Sequence, residues 1–143
     1  MRSLTAMLML VLVCSLASAG TDEAARDVEE LELLLDAIAQ VESNGNATAV
    51  GDDGKALGMY QIHRAYWKDG TRLLDVAWEY AHAADPEKAR TVVRAYLLHY
   101  GRGKSLLDMA RIHNGGPRGH RKQATLKYAR RIAVLLDTER GNS

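Results

Sequence analysis

Three acidic residues, Glu42, Asp52 and Asp53, are spaced so that two of them could act together as a catalytic pair. Glu42 ends a segment of apolar residues with helical spacing, and Asp52 and Asp53 follow in a Gly- and Asp-rich segment. The carboxyl end of a helix favours a protonated carboxyl group, whereas a polar loop favours an ionised one. Such a pair can cleave a glycosidic bond by general acid catalysis and nucleophilic attack. Spacing alone leaves this open, because a helix-end Glu and an Asp-Asp-Gly turn are also common surface features.

Other kinds of catalytic site are not indicated. The chain has one cysteine, Cys14. It lies in an apolar N-terminal stretch that we expect to be cleaved off as a signal peptide, so the mature protein would have no cysteine. The run Gly101 to Lys104 lacks the full phosphate-loop pattern, and no Ser-His-Asp arrangement stands out. We therefore predict neither a metal site nor a cofactor. The five histidines show no usual ligand spacing; they are His63, His82, His99, His113 and His120.

The composition is that of one globular domain. The chain has 143 residues, of which 47% are apolar and 26% charged, and its formal net charge is +1. Such a balance gives no strong field for nucleic acid, so no nucleic-acid partner is predicted. The locally basic stretch from Arg111 to Arg131 is interpreted as a solvated face, and a weak attraction to an anionic wall polymer is the less favoured alternative.

The N-terminus has the pattern of a secretory signal peptide. Arg2 is followed by a mostly apolar stretch from Leu4 to Leu16, and Ala17-Ser18-Ala19 fits a cleavage site. We expect a signal peptide over residues 1–19 and one domain over residues 20–143. The mature protein would be secreted or periplasmic, free of disulfides, and without stable membrane insertion.

The remaining sequence predicts a mostly helical α+β fold. A helix is expected from Ala24 to Glu42, and a turn at Ser43-Asn44-Gly45 ends it. Residues 46–58 are expected to form a loop or a small β-hairpin, and residues 58–62 to enter a short helix. Later helices are predicted over 86–100, 106–112 and 123–136, the first of them capped by Asp85 with Pro86 at its first position.

Several motifs together resemble a known family. Val41-Glu42-Ser43 followed by Gly58-Met59-Tyr60-Gln61-Ile62 is similar to the catalytic segment of lysozymes and lytic transglycosylases. Tyr66-Trp67-x-Asp69 and the block Ile112-His113-Asn114-Gly115-Gly116-Pro117 resemble the invertebrate-type lysozymes, which include the destabilases. The similarity covers most of residues 34–132 in patches. The chain lacks the family's cysteines, which points to a bacterial or phage member.

The resemblance implies a lysozyme-like fold and assigns roles within it. It makes Glu42 the general acid and Asp52 the nucleophile, although the altered segment from Gly54 to Gly58 leaves Asp53 as an alternative. Trp67 is interpreted as a core aromatic residue. The resemblance also implies that six residues contact the glycan, namely Ser43, Tyr60, Gln61, His113, Asn114 and Gly115.

Three functions follow as alternatives. A muramidase would hydrolyse the β-1,4 bond between N-acetylmuramic acid and N-acetylglucosamine in peptidoglycan, using Glu42 and Asp52. A lytic transglycosylase would need Glu42 alone and would release anhydro sugars. A non-catalytic module would bind wall glycan without cutting it. We predict the muramidase, acting as a monomer on peptidoglycan strands.

Overall fold

The structure is a computed structural model that describes the backbone of residues 3–141 and the side chains of residues 21–141. Met1 and Arg2, the side chains of the predicted signal peptide, and residues 142–143 lie outside the described residues. The predicted boundary at residue 19 therefore stays a prediction. The chain divides into two units, Met1–Glu32 and Leu33–Ser143, and the second contains every element discussed below except the beginning of the first helix.

Helix α1 spans Ser3–Ser43 and is longer at its beginning than predicted. It ends where the sequence indicated, because Asn44 and Gly45 adopt positive φ angles of 57° and 73°. The Gly45 amide donates back to the Ala39 carbonyl at 3.1 Å, which is the pattern of a glycine-terminated helix. None of the helices in the described part of the chain is long and apolar enough to span a bilayer.

A three-stranded antiparallel sheet follows α1, so the predicted hairpin is confirmed and gains a third strand. The strands are β1 (Val50–Gly51), β2 (Ala56–Leu57) and β3 (Ile62–His63), in that order across the sheet. The predicted entry of residues 58–62 into a helix is wrong. These residues form a turn and then β3, in which Ile62 pairs with Leu57. A short apolar run does not distinguish helix from strand, and pairing with β2 decided the outcome.

Four α-helices follow the sheet in the described part of the chain, and the last three overlap the predicted helices. They are α2 (Arg64–Leu74), α3 (Pro86–Tyr100), α4 (Leu106–Gly115) and α5 (Leu126–Gly141). The Asp85 carboxylate caps α3 as expected, accepting from the Glu87 and Lys88 amides at 3.0 and 3.1 Å. Helix α5 begins three residues later than predicted and continues to Gly141, beyond its predicted end at residue 136.

The core of the second unit joins the end of α1 to α3, α4 and α5. Val28 of α1 is 61% exposed and Val41 is half-buried, whereas Leu34, Leu35 and Ile38 between them are fully buried. Trp67 is buried as predicted, and its indole donates to the Trp78 carbonyl at 3.1 Å. This packing fixes the position of the α1 end; its fully buried members include Leu34, Leu35, Ile38, Val92, Val93, Leu97, Ile112 and Ile132.

Candidate active site

An open cleft of about 820 Å³ lies across the second unit. The end of α1, the sheet and helices α2 to α5 all contribute to its lining. Three carboxylates line it, from Glu42, Asp52 and Asp69, so the structure brings both predicted catalytic residues to one cavity. The other lining residues are Val41, Gln61, Ile62, His63, Ala65, Tyr66, Tyr96, His113, Asn114, Gly116, Pro117 and Arg131.

Glu42 stands on the last turn of α1 with its side chain 19% exposed. Its Oε1 lies 3.6 Å from His113 Nε2 on α4. Helix α5 reaches the same place, where the Arg131 guanidinium donates to the Val41 carbonyl at 3.2 Å. The backbone beside Glu42 is therefore fixed by a cation at the helix carboxyl end, where cations are favourable.

Two tyrosines, Tyr66 and Tyr128, lie near enough to Glu42 to interact with its charge. The Tyr128 hydroxyl is buried and makes no hydrogen bond of standard geometry within the described residues. Burial first, and then the neighbouring Glu42 carboxylate, raise the pKa of the Tyr128 phenol. Burial also raises the pKa of Tyr66, with smaller contributions from Tyr96, Tyr128 and Glu42. Both phenols therefore keep their protons at neutral pH.

His113 supports the part of the cleft that surrounds Glu42. Its side chain is 4% exposed, and Nε2 lies 3.2 Å from the Tyr60 carbonyl. A carbonyl only accepts, so Nε2 carries a proton, and in the neutral ring Nδ1 accepts from the Tyr66 hydroxyl at 3.1 Å. The ring lines the cleft, but these bonds already occupy both of its nitrogens. His113 therefore holds Tyr66 and the Tyr60 backbone in place beside Glu42.

Asp52 stands in different surroundings. It begins a 3₁₀ turn, Asp52–Gly54, that connects β1 to β2, and its side chain is 66% exposed. Asp52 and Asp53 both adopt left-handed backbone, with φ angles of 49° and 54°, which aspartate tolerates better than most residues. The Asp52 carboxylate lies 2.7 Å from His63 Nε2 on β3. Asp53 is not among the residues that line the cleft.

Gln61 lines the cleft as predicted, and its amide also holds the sheet turn together. Its Nε2 donates to the Gly58 carbonyl at 3.0 Å and to the Ala49 carbonyl at 3.4 Å. Gly51 makes room for this side chain, because a Cβ there would lie 2.1 Å from the Gln61 Oε1. Gln61 has a φ of 48°, which is uncommon for its residue type, so the turn constrains the cleft at this point.

Three other predicted glycan contacts lie away from the cleft surface. The Ser43 hydroxyl donates to the Met59 carbonyl at 2.8 Å, which ties the end of α1 to the sheet turn. Tyr60 is fully buried, and its hydroxyl accepts from Arg90 at 3.2 Å. Gly115 permits close packing, because a Cβ there would lie 2.6 Å from a Thr125 methyl group. By contrast, Asn114 is exposed and lines the cleft.

Sequence reasoning gave no role to several cleft residues. Asp69 on α2 accepts hydrogen bonds from Tyr100 and Arg72. Burial opposes the shift, but these two donors outweigh it and lower the pKa of Asp69. His63 could have been noticed, since it follows the Gln61-Ile62 motif directly. Arg131 had no comparable signal, because it reaches the cleft from the last helix. Among the side chains that the structure describes, no three potential ligands group around a metal position.

Comparisons with known proteins find relatives of this chain. The Destabilase family profile matches residues 32–134. A lysozyme of Ostrea edulis is 37% identical over 133 residues, covering 87% of this chain and 90% of the relative. The invertebrate-type lysozyme 6 of Caenorhabditis elegans is 33% identical over 135 residues, with 84% and 93% covered.

Solved structures show the same fold. The inhibitor-bound lysozyme from Meretrix lusoria superimposes with a TM-score of 0.60 at 34% identity, covering 70% of this chain and 85% of that one. The Tapes japonica lysozyme gives a TM-score of 0.59 at 27% identity, with the same coverage. The mostly helical fold with its small sheet is thus that of the lysozymes. The profile match and the two relatives show that this chain belongs to the Destabilase family, to which the invertebrate-type lysozymes belong.

Proposed function

We propose that this protein is a muramidase that hydrolyses the β-1,4 bond between N-acetylmuramic acid and N-acetylglucosamine in peptidoglycan, with Glu42 as the general acid and Asp52 as the nucleophile. The observation that carries the proposal is that both carboxylates line one cleft in contrasting surroundings. Membership of a family that contains named lysozymes supports the same reaction.

The proposed reaction proceeds in two balanced steps. Glu42 donates its proton to the glycosidic oxygen while the Asp52 carboxylate attacks the sugar carbon, so the carbon–oxygen bond breaks and a glycosyl ester forms. Water then attacks the same carbon, gives its proton to Glu42 and releases Asp52. Two inversions leave the product with the configuration of the substrate.

Asp52 is favoured over Asp53 as the second carboxylate, because only Asp52 lines the cleft. This also favours hydrolysis over lytic transglycosylation, which would not require an aspartate beside the bond. Gln61 and Asn114 are the proposed glycan contacts among the predicted residues. Ser43, Tyr60, His113 and Gly115 would act indirectly, through the backbone contacts described above.

The product of digestion tests the proposal. Purified peptidoglycan is incubated with the protein and with E42Q, and the soluble products are analysed by mass spectrometry. A muramidase gives reducing-end muropeptides, and NMR during early turnover finds the retained anomer first. Anhydro-muropeptides would establish the transglycosylase instead. Release of no soluble glycan by folded protein, with retained binding to the wall, would favour the non-catalytic module.

Export to the periplasm or the exterior is proposed from the predicted signal peptide, together with the proposed wall substrate. Its test is the N-terminal sequence of the protein recovered outside the cytoplasm, which should begin at Gly20. Size-exclusion chromatography with light scattering tests the predicted monomer.

A further inference from the structure

One exposed histidine lies against the proposed nucleophile. His63 Nε2 is 2.7 Å from Asp52 Oδ2, and both side chains line the cleft. They are 53% and 66% exposed, so this contact is not a consequence of core packing. Exposed ion pairs contribute little to folding, which makes a purely stabilising role for this pair a weak explanation.

The backbone that carries His63 is firmly held. His63 pairs with Ala56 across the sheet, and its neighbour Ile62 is buried. The Ile62 carbonyl accepts from the Tyr80 hydroxyl at 2.8 Å, and helix α2 begins at Arg64. The imidazole therefore projects from a strand that is anchored on both sides.

Asp52 has no comparable anchor. Within the described residues, its carboxylate makes no hydrogen bond or ion pair other than that with His63. It stands on left-handed backbone in a turn of three residues, followed by Gly54 with a φ of 87°. Rotation about its side-chain bonds is restricted by one hydrogen bond, and loss of that bond would let the carboxylate leave the attacking position.

We propose that His63 is a positioning residue that holds Oδ2 of Asp52 and thereby orients Oδ1 for attack on the sugar carbon. The Nε2–H group donates to Oδ2 whether or not the ring carries a second proton, while Oδ1 stays without a partner in the described part of the chain. The inference rests on the proposed function, because it requires Asp52 to act in the reaction.

The test uses three substitutions at one position. In H63Q the amide nitrogen reaches the place of Nε2, whereas in H63N it reaches only the place of Nδ1. H63A removes the donor altogether. Because the contact uses Nε2, we expect H63A and H63N to lower kcat about five- to tenfold, with KM within about twofold of wild type. H63Q should recover most of the lost kcat. K68A, an exposed change on α2, is the control.

The possible results separate this inference from the proposed function. Full activity of H63A, or equal loss in H63Q and H63N, overturns the positioning role while an inactive D52N still supports the muramidase. Full activity of D52N overturns the use of Asp52 itself, and the inference about His63 falls with it. Unfolding curves of all variants should coincide with that of wild type, since the pair is exposed; a shared loss of stability would assign His63 a structural role instead.

Discussion

Glu42 and Asp52 line the same cleft, yet the two sides of that cleft are built in opposite ways. Glu42 ends a helix that is anchored in the core, and the buried side chains of Tyr128 and His113 lie beside it. Asp52 stands on an exposed turn with left-handed backbone and one exposed histidine as its partner. The first side depends on packing between distant segments, and the second depends on local turn conformation and one hydrogen bond.

This difference shows that one fold can give two carboxyl groups on the same cleft different exposure to water and different neighbours. Limited access to water and nearby O–H groups at Glu42 suit a group that must give up and take back a proton. At Asp52, exposure and a single hydrogen-bond partner suit the role proposed for the nucleophile. The predictions below test this contrast from the largest expected effect to the smallest.

Removal of the Glu42 proton donor should have the largest effect. E42Q keeps the shape of the side chain but cannot protonate the leaving oxygen, so kcat on soluble glycan should fall by about 10³- to 10⁴-fold. Reducing-sugar release over the accessible pH range is the measurement. An active E42Q enzyme would contradict the assigned general acid.

Substitution of Asp52 should lower kcat less than E42Q does, and substitution of the neighbouring Asp53 should leave kcat nearly unchanged. D52N should lower kcat by about 10²-fold, as is common when one transition-state charge contact is lost. D53N is the matched control, since Asp53 does not line the cleft, and its kcat should stay within about twofold of wild type. The reverse pattern would make Asp53 the second carboxylate.

The two sides should also differ in their effect on stability. Y66F removes the hydroxyl that bonds His113 and leaves a buried ring nitrogen unpaired, so the free energy of unfolding should fall by about 1–2 kcal/mol. H63A on the exposed side should change it by less than about 0.5 kcal/mol. Urea unfolding of the two variants gives the comparison. Equal values would remove the contrast between a packed and an exposed side.

The last prediction concerns the stability contributed by Asp69, which also lines the cleft. Its pKa is lowered in the folded protein, so its ionised form adds stability above the unfolded value of about 3.9, and this is lost as the pH falls further. D69N should therefore be less stable than wild type by about 0.5–1 kcal/mol at pH 7. The difference should shrink below about pH 4 in thermal unfolding experiments. A constant difference would mean that the charge of Asp69 is not what Tyr100 and Arg72 stabilise.

Much of the fold was readable because its signals are local. The turn after Ser43 and the Asp85-Pro86 helix start each depend on a few neighbouring residues, and both predictions are confirmed. Residues 58–62 failed because a short apolar run fits two conformations, and only pairing with Ala56 and Leu57 selects the strand. The end of α5 was placed too early, because a polar composition does not by itself end a helix.

The sequence by itself determined the mostly helical fold class, the family and the two candidate carboxylates, because motifs and helical spacing are properties of neighbouring residues. Only the tertiary structure decided which side chains face the cleft. It buried Tyr60, turned His113 into a support for Tyr66, set His63 against Asp52 and brought Arg131 to the end of α1. These contacts join segments up to 90 residues apart, and packing rather than local preference fixes them.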